Sequence, residues 1–193
     1  MRLLFTIAIG LLVTGSRSHV LAQDGTVMLE VRVFDGPIDV GPEVRVLIKP
    51  SDSSADARPI ERTPEGRHQV RVAVGRYDVQ AVQERGREVI NVKWATGLLA
   101  QRYPDTGDDH LEVVNFRSGY GAIRVAPSAP SSEASWTATV TGVATKADVK
   151  PASGFALIAL PEGRYDVVVR SSSGEKPMKG VEVTTGRVAQ VRW

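Results

Sequence analysis

The pentapeptide Gly-Arg-Tyr-Asp-Val occurs twice in this 193-residue chain, at 75–79 and at 163–167. Around it the two stretches align without a gap at an offset of 88 residues. Gly66 falls on Gly154, Val70 on Ile158, Val72 on Leu160 and, further on, Gly86 on Gly174. Six of the fourteen positions from 66 to 79 are identical, which marks a duplication rather than a chance match. Upstream, Glu30 to Phe34 resembles Ala122 to Ala126 at a slightly different offset, which implies a loop insertion or deletion. The period is longer than the 20–50 residues of solenoid repeats. It fits a duplicated small domain with a boundary near Ser118-Gly119.

The repeated unit is built from strands. Val27, Leu29, Val31 and Val33 alternate with Met28, Glu30 and Arg32. Val44, Val46 and Ile48 alternate with Arg45, Leu47 and Lys49, and Val70, Val72 and Val74 with Gln69, Arg71 and Ala73. In the second copy Trp136, Ala138 and Val140 alternate with threonines. A period of two is the signature of half-buried strands, and β-branched residues suit their pleated surface. No convincing helical period runs for ten residues. The segments between read as turns and loops, including Asp35-Gly36-Pro37, 50–58, Pro104-Asp105-Thr106-Gly107, 127–135 and 171–174. The chain is therefore expected to be all-β, with two tandem antiparallel sandwiches at 24–117 and 118–193.

Alternation also assigns the pentapeptide. Gly75 and Gly163 let the chain turn into the next strand. Tyr77 with Val79, and Tyr165 with Val167, then face a core, while Arg76, Asp78, Arg164 and Asp166 face water. A tyrosine at such a corner can return its hydroxyl to the backbone. An exposed Arg/Asp pair contributes under about 1 kcal/mol, so the motif reads as structure rather than as a doubled binding site.

The N-terminus is a leader by pattern. Arg2 precedes an eleven-residue apolar run, Leu3 to Val13, and Val20-Leu21-Ala22 fits a cleavage site before Gln23. The run falls short of the roughly 20 residues that span a bilayer. The expected product is exported, to the periplasm or beyond. Removing 1–22 takes away Arg2 and Arg17, so 24 − 2 = 22 basic residues balance 22 acidic ones. A neutral chain without basic runs argues against nucleic-acid binding, and no second apolar segment suggests stable membrane insertion. There is no cysteine, so neither disulfides nor a lipidated cysteine is available.

Chemistry-bearing constellations are sparse. His68 and His110 stand apart, and a zinc site needs about four ligands. No Gly-x-Ser-x-Gly elbow or phosphate-binding glycine loop occurs. Asp105, Asp108 and Asp109 form the best calcium candidate, and otherwise no cofactor is expected. Three tryptophans, Trp94, Trp136 and Trp193, are candidate ligand contacts, because an exposed indole stacks on sugars or partner proteins. Val92-Lys93-Trp94 and Val191-Arg192-Trp193 look like similar strand ends.

Leu160-Pro161-Glu162-Gly163-Arg164-Tyr165-Asp166-Val167-Val168-Val169 resembles the LPxGxYxVxV segment of carboxypeptidase-regulatory-like and prealbumin-like modules. The resemblance implies an Ig-like sandwich of the kind found in secreted bacterial proteins, and little about activity. Some prealbumin-like relatives are hydrolases with a Tyr-Arg-Gly-Ser-like tail, where this chain has Gln190-Val191-Arg192-Trp193. Others form Lys–Asn isopeptide bonds, for which Asn115 has no evident partner. The expected function is a non-enzymatic binding or scaffold module contacting a protein or carbohydrate. Protein ranks first, because sheet edges accept added strands. The alternatives are an enzyme using the acidic loop near His110, and a structural spacer.

Overall fold

The computed structural model describes residues 25–104, 107–128, 135–143, 145–151 and 154–193. The segment 1–22, expected to be a leader, lies outside the described residues. Strands carry the fold: β1 (Thr26–Asp35), β2 (Ile38–Asp39), β3 (Val44–Pro50), β4 (Arg58–Pro59), β5 (His68–Ala73), β6 (Gly75–Arg85), β7 (Glu88–Ala100) and β8 (His110–Asn115) precede a turn. After it come β9 (Tyr120–Ala126), β10 (Thr137–Thr141), β11 (Lys146–Val149), β12 (Ala156–Pro161), β13 (Gly163–Ser171), β14 (Gly174–Val183) and β15 (Val188–Arg192). Among the described residues there is no α-helix, and none long and apolar enough to cross a membrane.

Each half holds two sheets. In the first, β1 lies between β5 and β8, with the short β2 beside it, and faces the sheet β4-β3-β6-β7. In the second, the order β12-β9-β15 faces β11-β10-β13-β14. The two patterns match strand for strand except for β2, which has no counterpart among the described residues of the second half. Pairings are antiparallel except β1 with β8 and β9 with β15, where the first and last long strands of each half run side by side in parallel. Among the described residues no strand of one half pairs with a strand of the other.

The alternating positions form the cores. Val27, Leu29, Val31 and Val33 are fully buried against Val44, Val46, Ile48, Val79 and Ala81 of the facing sheet. Ile123, Val125, Ala138, Val140, Val167 and Val169 do the same in the second half. A third, smaller cluster joins the halves: Phe34 and Val113 pack on Ala122 and Ala159. Beside it Asp108 receives Arg124 Nη1 at 2.9 Å and also pairs with Arg192. Arg124 is itself buried, lying 4.6 Å over the Phe155 ring and donating to Gln190.

The offset of 88 holds through β5 and β6 onto β12 and β13, and then breaks. The first copy turns at Gly86-Arg87, between paired Arg85 and Glu88, whereas the second turns at Ser172-Ser173, between Ser171 and Gly174. Gly86 and Gly174 therefore align in sequence without being equivalent in space. The second hairpin is the shorter.

Candidate functional site

β7 is a sheet edge. It runs for 13 residues and, among the described residues, pairs only with β6, so that no strand covers its other side. Among the described residues seven large hydrophobics are exposed, and five of them, Val89, Ile90, Val92, Trp94 and Leu99, lie on this strand. An exposed edge with an apolar side is unusual, because it invites pairing with another chain. β7 bears one of the usual safeguards, a bulge. Tyr77 opposes Leu98 but Val79 opposes Ala95, so one extra residue is accommodated on β7. Gly97 takes the left-handed conformation there, with φ +67°, and its N–H donates to Asp78 Oδ1 at 2.9 Å.

β8 is the edge of the opposite sheet, pairing only with β1 among the described residues. The two free edges therefore flank the open side of the first sandwich, and a groove of ≈ 690 Å³ runs along them. Its walls are 93–99 of β7 and 110–115 of β8, and the turn 185–188 of the second half adjoins them. Arg76, Lys93, Arg117 and Arg187 line it, against the single carboxylate of Glu112. Arg76 is tethered to the Gly97 carbonyl at 3.0 Å and Arg117 to Asp35 at 2.8 Å. Among the described residues Lys93 and Arg187 make no ion pair.

His110 sits in this groove, stacked on Tyr103 with ring centroids 5.5 Å apart. Its Nε2 lies 3.6 Å from Glu112, and both ring nitrogens are buried without a hydrogen-bond partner. Tyr103 donates its hydroxyl to the Leu111 carbonyl at 3.0 Å, and burial raises its pKa. Position 110 is paired with Leu29, a core residue of β1.

The three tryptophans separate. Trp94 is 43% exposed and lines the groove. Trp136 is buried in the second core and meets the half-buried Trp193 edge-on, with ring centroids 5.5 Å apart. Trp136 is corrected from a ligand contact to a packing residue, because alternation with Ala138 and Val140 turns it inward, while Trp193 keeps part of its surface beside Val169 and Ser171. Nor are Trp94 and Trp193 equivalent strand ends. Trp94 lies inside β7 opposite Gln80, and Trp193 follows β15.

Of the acidic loop, Asp105 lies outside the described residues. Asp108 is held by Arg124 and Arg192, while Asp109 accepts the Met28 N–H at 3.3 Å and pairs with Arg102 at 3.5 Å. The two carboxylates serve different cations. Among the described residues no group of three His, Cys, Asp or Glu is placed to hold a metal ion. Asn115 is also committed: its carboxamide bonds both the N–H and the C=O of Gly36. His68 is buried beneath the Gly41 carbonyl, and burial lowers its pKa.

Gly75 and Gly163 open β6 and β13. Tyr77 donates its hydroxyl to the Ala73 carbonyl at 3.0 Å, and Tyr165 to that of Pro161 at 2.8 Å. Asp78 and Asp166, expected to face water, also accept a glycine N–H across a bulge, from Gly97 and Gly180 respectively. The signal was present as Thr-Gly and Lys-Gly inside otherwise extended segments.

No family model matches the chain, and no curated protein matches it. Solved structures similar to it include the Bacillus anthracis TIE protein, with 14% identity and a TM-score of 0.35 over 87% of this chain; the chain spans 34% of that protein. The tip fimbrial protein Mfa3 from Porphyromonas gingivalis shows 7% identity and a TM-score of 0.32, covering 80% of this chain and 81% of that one. The minor pilin GBS52 of Streptococcus agalactiae shows 10% identity and a TM-score of 0.27, covering 86% and 94%. At these TM-scores the likenesses carry no argument about function.

Proposed function

We propose that this chain is an exported, non-enzymatic binding protein, built from two modules of the carboxypeptidase-regulatory-like or prealbumin-like type, that takes an extended stretch of a partner protein along β7. The observation that carries the reading is the free 13-residue edge of β7 with its exposed Val92 and Trp94. Main-chain groups on such an edge supply affinity to an added strand, and alternate side chains supply selectivity. The leader-like N-terminus supports export. A photo-crosslinking residue at position 92, in protein recovered from the exported fraction, should trap a partner. In a pull-down without the crosslinker, Val92→Lys and Trp94→Lys should each abolish capture of that partner while leaving the melting temperature unchanged. Capture indifferent to both substitutions refutes the reading.

A second reading rests on Trp94 alone. An exposed indole beside a lysine is a stacking platform for a sugar ring. It predicts binding to a glycan array that Trp94→Ala removes and Val92→Lys does not.

A further inference from the structure

We infer that the partner segment is acidic and that it lies in the groove between β7 and β8, with its carboxylates drawn to Lys93 and Arg187. This deepens the β7 reading and rests on it. Three features of the groove point the same way. First, among the described residues both walls are strands with one edge paired to no other strand; on β8 the Tyr103 hydroxyl takes the Leu111 N–H and C=O, while the β7 edge offers backbone donors and acceptors along the groove. A compact ligand would leave most of them without protein partners, whereas an extended polypeptide can match a strand residue for residue.

Second, the charge is one-sided. Four basic side chains and one carboxylate line the groove, although the chain without its leader is balanced at 22 and 22. Arg76 and Arg117 are already tied to Gly97 and Asp35. Lys93 on β7 and Arg187 on the turn after β14 are the cations left without an ion pair among the described residues. They stand on different elements lining the groove. Fixed positive charge set along a cleft selects partners of opposite sign and penalises those of like sign.

Third, Trp94 and Leu99 line the same groove with their side chains exposed, and they offer contacts for the apolar side chains of such a segment. An alternating acidic–apolar sequence therefore fits, one set of side chains meeting the cations and the other the indole.

Three fluorescein-labelled peptides of about eight residues, alternating valine with glutamate, serine or lysine, test this against the full chain by anisotropy. The glutamate peptide should bind about tenfold more tightly than the serine peptide, and the preference should shrink as salt rises from about 50 to about 300 mM. Lys93→Glu with Arg187→Glu should reverse the order and favour the lysine peptide, with an unchanged melting temperature. Equal binding of all three peptides overturns the acidic preference but leaves the β7 reading standing. Binding by none of them, together with partner capture indifferent to Trp94→Lys, overturns both. A uronic-acid oligosaccharide that binds through Lys93 and Arg187 where the glutamate peptide does not also overturns the inference.

Discussion

The Asp78 carboxylate accepts the Gly97 N–H at 2.9 Å, and 88 residues later Asp166 does the same for Gly180 at 2.9 Å. Both glycines sit at φ +67°, each at a bulge on the edge strand that follows the pentapeptide. The Asp of Gly-Arg-Tyr-Asp-Val is thus the residue that pins the neighbouring strand's bulge. Ser51 adds a second bond to Asp78, at 2.8 Å. In the first copy the pinned bulge lies on the groove wall, so the duplicated motif shapes the candidate site without contacting a ligand.

Gly97→Ala isolates the conformational part of this device. A methyl group at position 97 would meet nothing within 4 Å, so any cost comes from the left-handed backbone. The variant should lose about 1 kcal/mol in urea unfolding, and Gly180→Ala a similar amount. An unchanged midpoint in both would show that the bulges relax freely.

The carboxyls so employed predict an acid limb. Asp78 is held below its usual range chiefly by the Gly97 N–H and then by Ser51. Glu162 is lowered by the Thr185 hydroxyl and then by its N–H. Groups depressed in the folded state stabilise it above their unfolded pKa, near 4, and lose that contribution as pH falls through the folded value. The urea midpoint should therefore fall below about pH 4. Burial also lowers the pKa of His68, so a gentler decline should begin below about pH 6.5, where the unfolded chain starts to take up that proton. Asp78→Asn with Glu162→Gln should flatten the lower limb and leave the upper one. A lower limb unaltered by the pair would assign it to other carboxylates.

The two corner tyrosines should differ. Tyr165 is buried and Tyr77 only partly so. Tyr165→Phe strands the Pro161 carbonyl and should cost about 1 kcal/mol, and Tyr77→Phe less, since water can replace its hydroxyl. Equal losses would indicate that both carbonyls are equally screened. Gly142→Ala tests the same ring from outside: its new methyl group would lie 2.5 Å from Tyr165 Cε1, an overpacking worth about 1–3 kcal/mol.

Asp108 should matter to the pairing of the halves more than to either core. It binds Arg124 and Arg192 from the second half, next to the small apolar contact of Phe34 and Val113 with Ala122 and Ala159. Asp108→Asn leaves the buried Arg124 without its charge partner and should cost about 1–3 kcal/mol. Calorimetry should show the unfolding endotherm broaden or split. A single sharp endotherm at an unchanged temperature would show that the ion cluster does not couple the halves.

Much of the architecture can be read without coordinates because it follows from periodicity. Val27 to Val33 and Val44 to Ile48 turn the same side inward at every second residue, and the doubled pentapeptide announces that one chain path is used twice. The carboxylates of Asp108 and Asp109 were legible as acidic, but their use was not. Their partners Arg124, Arg192 and Met28 lie 16, 84 and 81 residues away. Trp136 could have been placed from its alternation with Ala138, and Trp94 could not, since its exposure depends on which strand ends the sheet.

Sequence by itself determined the all-β class and the duplication, because both are properties of neighbouring and repeated residues. Tertiary structure decided the parallel closing of each sandwich, the free edge of β7, and the groove where Lys93, His110 and Arg187 come together. Those depend on the order in which strands line up within a sheet. That order is set by the packing of whole faces against one another, and no local pattern along the chain carries it.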